Sequence, residues 1–299
     1  MKILVTGSSG YVGSRLGQKL EEAGHEVFGL DIGWFGPAQF PFDVRRINNI
    51  RQCDAVIHLA AISNDPSVSF YPRLSWETSV LATMKICELC KETGARLIYA
   101  SSVSVYGADR GMVTEDMSLN PISDYNKTKM CAERVIMSYP ILAQIIRPAT
   151  ICGLSPRMRL DLTVNMLVAQ AWKGEMTVHG GTQMRPSIHI EDMCDLYLFM
   201  LEHPEHYGVF NAGFENYSIL EIADKVRHHT GRPYKILPIR DHRSYQVNSD
   251  KLLATGFKPK KTVDDAIDEM WHAWETGELK DDPRWVNLTW MQKLGVADV

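Results

Sequence analysis

The chain opens on an apolar run, Ile3-Leu4-Val5, that breaks at once into Thr6-Gly7-Ser8-Ser9-Gly10-Tyr11-Val12-Gly13. A strand, a turn with glycines at every third position and the start of a helix follow one another within thirteen residues. So tight a reversal needs residues without a Cβ. It leaves backbone N–H groups unpaired at the positive end of a helix, a setting that suits a diphosphate.

Behind this turn the pattern alternates. Residues 14–23 read as an amphipathic helix ended by Gly24, and Val27–Leu30 as a strand closing on Asp31. Residues 42–45 read as a short strand end, 54–61 (DAVIHLAA) as a buried strand and 62–73 as a polar loop. A helix over 74–93 stops at Gly94, a strand over 95–100 runs into Ser101-Ser102, a helix starts near Ser123, and Ile141–Arg147 is a strand stopped by Pro148. Strands alternating with helices predict an α/β fold built on a doubly wound parallel sheet. Beyond residue 153 the pattern loosens: helices over 160–173, 191–202, 218–230 and 262–275, and strands over 176–178, 208–212 and 234–238. This predicts a smaller, mixed α/β C-terminal domain over 154–299, interleaved with the first through segments within 187–213. The tail with Trp285 and Trp290 has no readable period, and packs on the body or on a partner subunit.

At 299 residues the chain can form one large or two small domains. A net charge of −4 gives no reason to expect nucleic acid or an anionic membrane as partner. No apolar run approaches the roughly 20 residues of a membrane span, and the strand beginning at Lys2 leaves no room for a signal peptide. The six cysteines are scattered; Cys87 and Cys90 share a helix face and read as core, not as a redox pair or zinc half-site. No metal is expected, and the setting is a reducing cytoplasm.

Asp31 ends the second strand, where an acid binds the two hydroxyls of an adenosine ribose and repels a 2′-phosphate. Ile32-Gly33-Trp34 follows it without an arginine, which favours NAD over NADP. Asp43 is a candidate for the adenine amine, and His58, inside an apolar run, reads as a core histidine. Ser101 and Ser102 place hydroxyls at the carboxyl end of a central strand, where such sheets bind ligands. Tyr125 and Lys129 share one helix face, one turn apart. A lysine ammonium favours the phenolate, and a phenolate can accept an alcohol proton as hydride leaves. Ser102 can donate to the same oxygen as charge develops.

The set TGSSGYVG (6–13), Asp31, DAVIHLAA (54–61), YASSVSVYG (99–107), Tyr125-Asn126-Lys127-Thr128-Lys129, RPATICG (147–153) and QMRPSIHIED (183–192) resembles the extended short-chain dehydrogenase/reductase family. Within it, the chain is most similar to the NAD-dependent nucleotide-sugar epimerase/dehydratase group. The resemblance implies a Rossmann sheet over residues 1–153 and NAD as cofactor. It places Gly7, Gly10, Tyr11, Val12 and Gly13 on the pyrophosphate, Asp31 and Ile32 at the adenosine ribose, Asp43 and Val44 by the adenine, and Leu59, Ala60, Ala61 and Ser101 along the cofactor. Ser102, Tyr125 and Lys129 become the catalytic set, Lys129 also anchors a ribose, and Pro148 backs the nicotinamide. Asn165 and Arg185 match positions that hold a sugar-nucleotide diphosphate, and Arg240 or Arg243 is a second phosphate ligand of unsettled position.

Two departures narrow the chemistry. Sugar 4,6-dehydratases and decarboxylating relatives carry an acid two residues before the tyrosine of the YG pair, where this chain has Ser104 beside the substrate. Ser79 stands where the family has an asparagine near the nicotinamide-side ribose. The leading reading is C4 epimerisation of a nucleotide-diphosphate sugar through a 4-keto intermediate. An NAD(P)-dependent sugar-nucleotide dehydrogenase or reductase is the alternative; a 4,6-dehydratase or a non-catalytic NAD-binding protein ranks below both. The resemblance further implies a homodimer joined through the helices over 74–93 and 123–139.

Overall fold

The computed structural model describes residues 1–50, 52–238 and 244–298. Its central sheet has seven parallel strands: β1 (Lys2–Thr6), β2 (Glu26–Asp31), β3 (Phe40–Pro41), β4 (Ala55–His58), β5 (Arg96–Ala100), β6 (Ala143–Pro148) and β7 (Gly208–Ala212). They lie in the order β7-β6-β5-β4-β1-β2-β3. The chain winds outward from β1 to β3 and then returns to β4, so the winding reverses between β1 and β4. At such a reversal the loops part and leave a crevice.

Side-chain alternation divides the strands between two cores. Ile3, Val5, Ile57, Ile98 and Ile146 point into one. Leu4, Val56, Leu97, Tyr99 and Ile145 point into the other. Helices cover both faces, which is why the strands read as unbroken apolar runs. The helix Tyr11–Glu22 buries Leu16 and Leu20 on the first face. The helix Ala82–Thr93 buries Ile86, Cys87 and Cys90 on the second, and burial pushes both thiols up to about 12. They are core residues, as their spacing implies.

Several local expectations are corrected. Residues 42–45 are not a strand end: Asp43 accepts the Arg45 N–H at 2.9 Å and starts a 3₁₀ turn, Val44–Arg46. The pairing with β2 comes from Phe40–Pro41 instead. The segment 62–73 contains a helix, Asp65–Phe70, capped by the Asn64 side chain, and Pro72 opens another, Pro72–Trp76. That second helix widens into a π turn over Glu77–Leu81 before Ala82–Thr93 continues it. The helix expected over 160–173 starts later, at Thr163.

After β6 the chain leaves the sheet. Thr150–Cys152, Met184–His189 and Glu215–Ser218 form a three-stranded sheet, and Met176–His179 pairs with Tyr234–Leu237. The helices Thr163–Trp172, Ile219–Thr230 and Val263–Glu275 pack around them. Between these segments the chain returns once to add β7 beside β6.

The tail is ordered and packs on its own chain. It has a 3₁₀ turn, Pro283–Trp285, and a helix, Asn287–Lys293. Two turns of helix are too short to show a period. Met291 is buried with Ile62, Val68, Tyr71 and Leu74, and the Trp290 indole N–H donates to the Trp34 carbonyl at 2.6 Å. Among the described residues no helix is long and apolar enough to cross a membrane.

Candidate active site

A cavity of about 1070 Å³ opens at the carboxyl ends of β1, β4, β5 and β6, where the winding reverses. That lies at the upper end of ligand pockets, roughly 300–1,000 Å³. Its glycine floor is dictated by close approach. Gly7 has φ +76°, and a Cβ there would meet the Ala60 nitrogen at 2.8 Å. A Cβ on Gly13 would meet the Gly7 carbonyl oxygen at 2.1 Å. Gly10, Tyr11 and Val12 line the same floor, and Leu59, Ala60 and Ala61 rise beside it from the end of β4.

Asp31 and Ile32 line the wall at the end of β2. The Asp31 carboxylate accepts the Ser9 N–H at 3.1 Å and the Gly33 N–H at 2.8 Å. Burial raises its pKa, against those two bonds and the charge of Arg157. Val44 and Asp43 also line the cavity, but Asp43 holds Arg45 through Oδ1 and Oδ2, at 3.2 and 2.8 Å. These parts suit a dinucleotide: a floor of backbone without side chains, an acid at the ribose position and the buried cation Arg157 nearby.

The reactive groups stand opposite. Ser102 caps a 3₁₀ turn, Val103–Tyr106, and its Oγ lies 2.8 Å from that of Ser104. Ser101, Ser102, Ser104 and Pro148 all line the cavity. Ser123 caps the helix Asp124–Ser138, which carries Tyr125 in its first turn and Lys129 one turn on. Burial pushes Tyr125 up to about 12, opposed by the charge of Arg159 and a hydrogen bond with Ser102. Burial pushes Lys129 down to about 8, opposed by Glu133. The Lys129 ammonium donates to the Ala100 carbonyl at 2.7 Å. The cation whose charge opposes the burial of Tyr125 is Arg159, delivered from a distant loop.

Behind them sits a buried ion pair. Glu133 accepts from Arg147 at 2.9 and 2.6 Å and from the Ser101 hydroxyl at 2.5 Å. His58 is the core histidine its apolar surroundings imply. It bonds Thr6 at 2.7 Å and Thr83 at 3.0 Å, and burial with the nearby charge of Lys129 lowers its pKa to about 3.

Asn165 is a correction. It is fully buried and its amide is spent inside the protein: Oδ1 accepts the Gly153 N–H at 3.1 Å, and Nδ2 donates to the Tyr11 hydroxyl and the Arg159 carbonyl. It fastens the loop after β6 to the glycine turn, while Met166 beside it lines the cavity. Arg185 does line the cavity and donates to the Met184 carbonyl at 3.0 Å. Arg240 and Arg243 lie outside the described residues. Ser79 is buried behind the wall, and the π turn puts Thr78 on the cavity instead.

Arg157, Arg159, Asp161 and Asn287 also line the cavity, and the motifs do not point to them. Arg159 grips Asp161 at 2.9 and 3.1 Å and reaches the Ser63 hydroxyl at 3.2 Å. The only local signal is the spacing of Arg157, Arg159 and Asp161 at every second residue. Asn287 has none.

Residues 3–213 match the family described as "NAD dependent epimerase/dehydratase family". The chain is 30% identical over 317 residues to a UDP-glucose 4-epimerase of Lactobacillus helveticus, covering 91% of this chain and 96% of that one. It is 31% identical over 252 residues to UDP-glucuronic acid decarboxylase 1 of Arabidopsis thaliana, covering 76% and 58%. Among solved structures, UDP-glucuronic acid 4-epimerase from Bacillus cereus in complex with UDP-glucuronic acid and NAD superposes with a TM-score of 0.81 at 26% identity, over 92% and 99% of the two chains.

Proposed function

The chain belongs to the NAD-dependent epimerase/dehydratase family, and from that premise we propose that it epimerises a UDP-hexose at C4 through a transient 4-keto sugar. One constellation carries this reading. Ser102, Tyr125 and Lys129 line one cavity with the glycine turn, and Ser104, which lines it too, stands where the resemblance puts the acid that expels water.

NAD, when bound, supplies the acceptor for the C4 hydride and returns it. Gly7, Gly10, Tyr11, Val12 and Gly13 hold its diphosphate, Asp31 and Ile32 its adenosine ribose, and Val44, Leu59, Ala60, Ala61 and Pro148 its flanks. Tyr125 takes the C4 hydroxyl proton, and Ser102 donates to the oxygen as it becomes a ketone. The Arg159 charge favours the phenolate. Arg185 offers its guanidinium fork to the sugar-nucleotide diphosphate. Because Arg159 is already paired with Asp161, it makes a poor counter-ion for a sugar carboxylate, which favours a neutral hexose over a uronic acid.

Incubation with UDP-, dTDP-, GDP-, ADP- and CDP-sugars, with product stereochemistry read by NMR, tests the reading. The expected outcome is interconversion of UDP-glucose and UDP-galactose without net NADH. NADH accumulating with turnover would establish the dehydrogenase reading instead.

Residues 1–153 together with β7 serve the cofactor, and the remainder of 154–299 serves mainly the substrate. All six cysteines are free thiols, in keeping with a cytoplasmic setting. Trp76, Leu81 and Met84 on one helix and Met137 on the next are exposed, which supports a homodimer through these helices. Sedimentation equilibrium tests it.

A further inference from the structure

The tail encloses one residue with unfinished business. Arg157 is 6% exposed and lines the cavity. Its guanidinium lies over the Phe35 ring at 4.1 Å, and Nη2 donates to the Arg284 carbonyl at 3.0 Å and to Asn287 Oδ1 at 2.5 Å. Its Nε is buried and has no hydrogen-bond partner among the described residues. Every other buried arginine near the reactive groups has its carboxylate: Arg147 holds Glu133, and Arg159 holds Asp161. Arg157 has no ion pair among the described residues. Burial and the like charge of Arg159 lower its pKa to about 9, against the more distant charges of Asp161 and Asp31. A buried cation in this state is a site for an anion.

The location selects the anion. The Arg157 N–H rests on the Ser14 hydroxyl at 3.3 Å, and the neighbouring Ser155 hydroxyl donates to the Tyr11 carbonyl at 2.6 Å. The loop that carries Arg157 therefore sits on the first turn of the helix Tyr11–Glu22, beside the glycine floor. A 2′-phosphate at the ribose would face Asp31. The diphosphate of the dinucleotide would not.

The tail holds the arginine there. Asn287 binds Arg157 through its oxygen and the Ser63 hydroxyl through its nitrogen, at 3.1 Å. Trp285 accepts the Leu160 N–H at 2.8 Å. Trp290 is bonded to Trp34, next to Phe35, and Met291 is plugged among Ile62, Val68, Tyr71 and Leu74. Asp298 accepts the Arg73 and Leu74 N–H groups at 3.2 and 2.7 Å. The tail thus crosses the two segments, 34–35 and 62–74, that wall the cavity beside Asp31.

We propose that Arg157 is a contact for the diphosphate of the bound dinucleotide, and that residues 283–298 form a clasp that positions Arg157 and slows release of the cofactor. This rests on the reading that the glycine-floored end of the cavity holds NAD. Asn287 is a positioning residue, acting through Arg157.

The test follows NADH release by fluorescence after mixing with excess NAD, and NAD content after purification, in wild type, Asn287→Leu, Asn287→Asp, Arg157→Lys, Arg157→Ala and Arg157→Ala/Asn287→Leu. Asn287→Leu is expected to release NADH at least tenfold faster. Asn287→Asp gives Arg157 the carboxylate that it lacks and is expected to release NADH several-fold faster as well. The double variant is expected to be no faster than Arg157→Ala alone, a non-additivity that general loosening of the fold does not produce. Arg157→Lys, which keeps the charge without the fork, carries the test if the leucine variant does not fold. Release within twofold of wild type in Asn287→Leu, or in Arg157→Lys where that variant stands in, overturns the clasp and leaves the cofactor reading intact. Wild-type protein that binds NADPH but not NADH, or neither, overturns the cofactor reading and the clasp with it.

Discussion

Arg147 on β6 and Glu133 on the helix Asp124–Ser138 form a fully buried, two-pronged ion pair, 2.9 and 2.6 Å, one helical turn beyond Lys129. Ser101 and the Tyr106 hydroxyl complete the ring of bonds around it. Removing one partner strands the other charge in the core. Arg147→Met is expected to cost about 3–5 kcal/mol, and Arg147→Met/Glu133→Gln clearly less, as measured by urea unfolding. A double variant as unstable as the sum of its parts would show that the pair is not coupled.

In the proposed mechanism Tyr125 takes the substrate proton, with Ser102 as its hydrogen-bond partner. Tyr125→Phe is expected to lower turnover by about 10²–10⁴-fold and to leave NAD binding unchanged. Product formation by NMR and NAD titration by fluorescence separate the two. Equal losses in both would assign Tyr125 to cofactor binding instead.

His58 is buried neutral, with its pKa lowered to about 3 by burial and by the charge of Lys129. The unfolded chain binds a proton near pH 6.5 and the native state does not until about pH 3, so this histidine's contribution to stability is present above pH 6.5 and lost as pH falls. Between pH 6.5 and 4 wild type is expected to lose up to about 3 kcal/mol more than His58→Gln. Denaturant melts of both proteins across that window would show parallel losses if His58 titrates normally.

Gly13 packs its α-carbon against the Gly7 carbonyl, where a Cβ would lie 2.1 Å from the oxygen. Gly13→Ala must push the first helix away from the turn. The expected cost is about 1–3 kcal/mol or more in stability, with NAD retention lost as the floor opens. An alanine variant that purifies with a full complement of NAD would remove the turn from the cofactor site.

Gly7, Ser102, Tyr125 and Lys129 were legible because each motif is local: a turn or a single helix face brings its members together. The parallel sheet was legible for the same reason, since strands buried on both faces announce themselves as apolar runs. Arg157, Arg159 and Asn287 were not, because each reaches the cavity only once distant segments pack. Asn165 shows the converse. Its position resembled that of a substrate ligand, but the Tyr11 hydroxyl and Gly153 N–H claim its amide. The helix of the tail was not legible because seven helical residues carry no measurable period.

The strand β7 joins the sheet only after the chain has passed through part of the smaller layer. A fragment ending at Gly153, the boundary that the change of pattern suggests, would leave β6 as a bare edge of backbone donors and acceptors. Such a fragment is expected to pair with copies of itself and come out of solution. The first 153 residues and the remainder are thus not interchangeable modules: neither is expected to be grafted or expressed alone without disturbing a strand that completes the other.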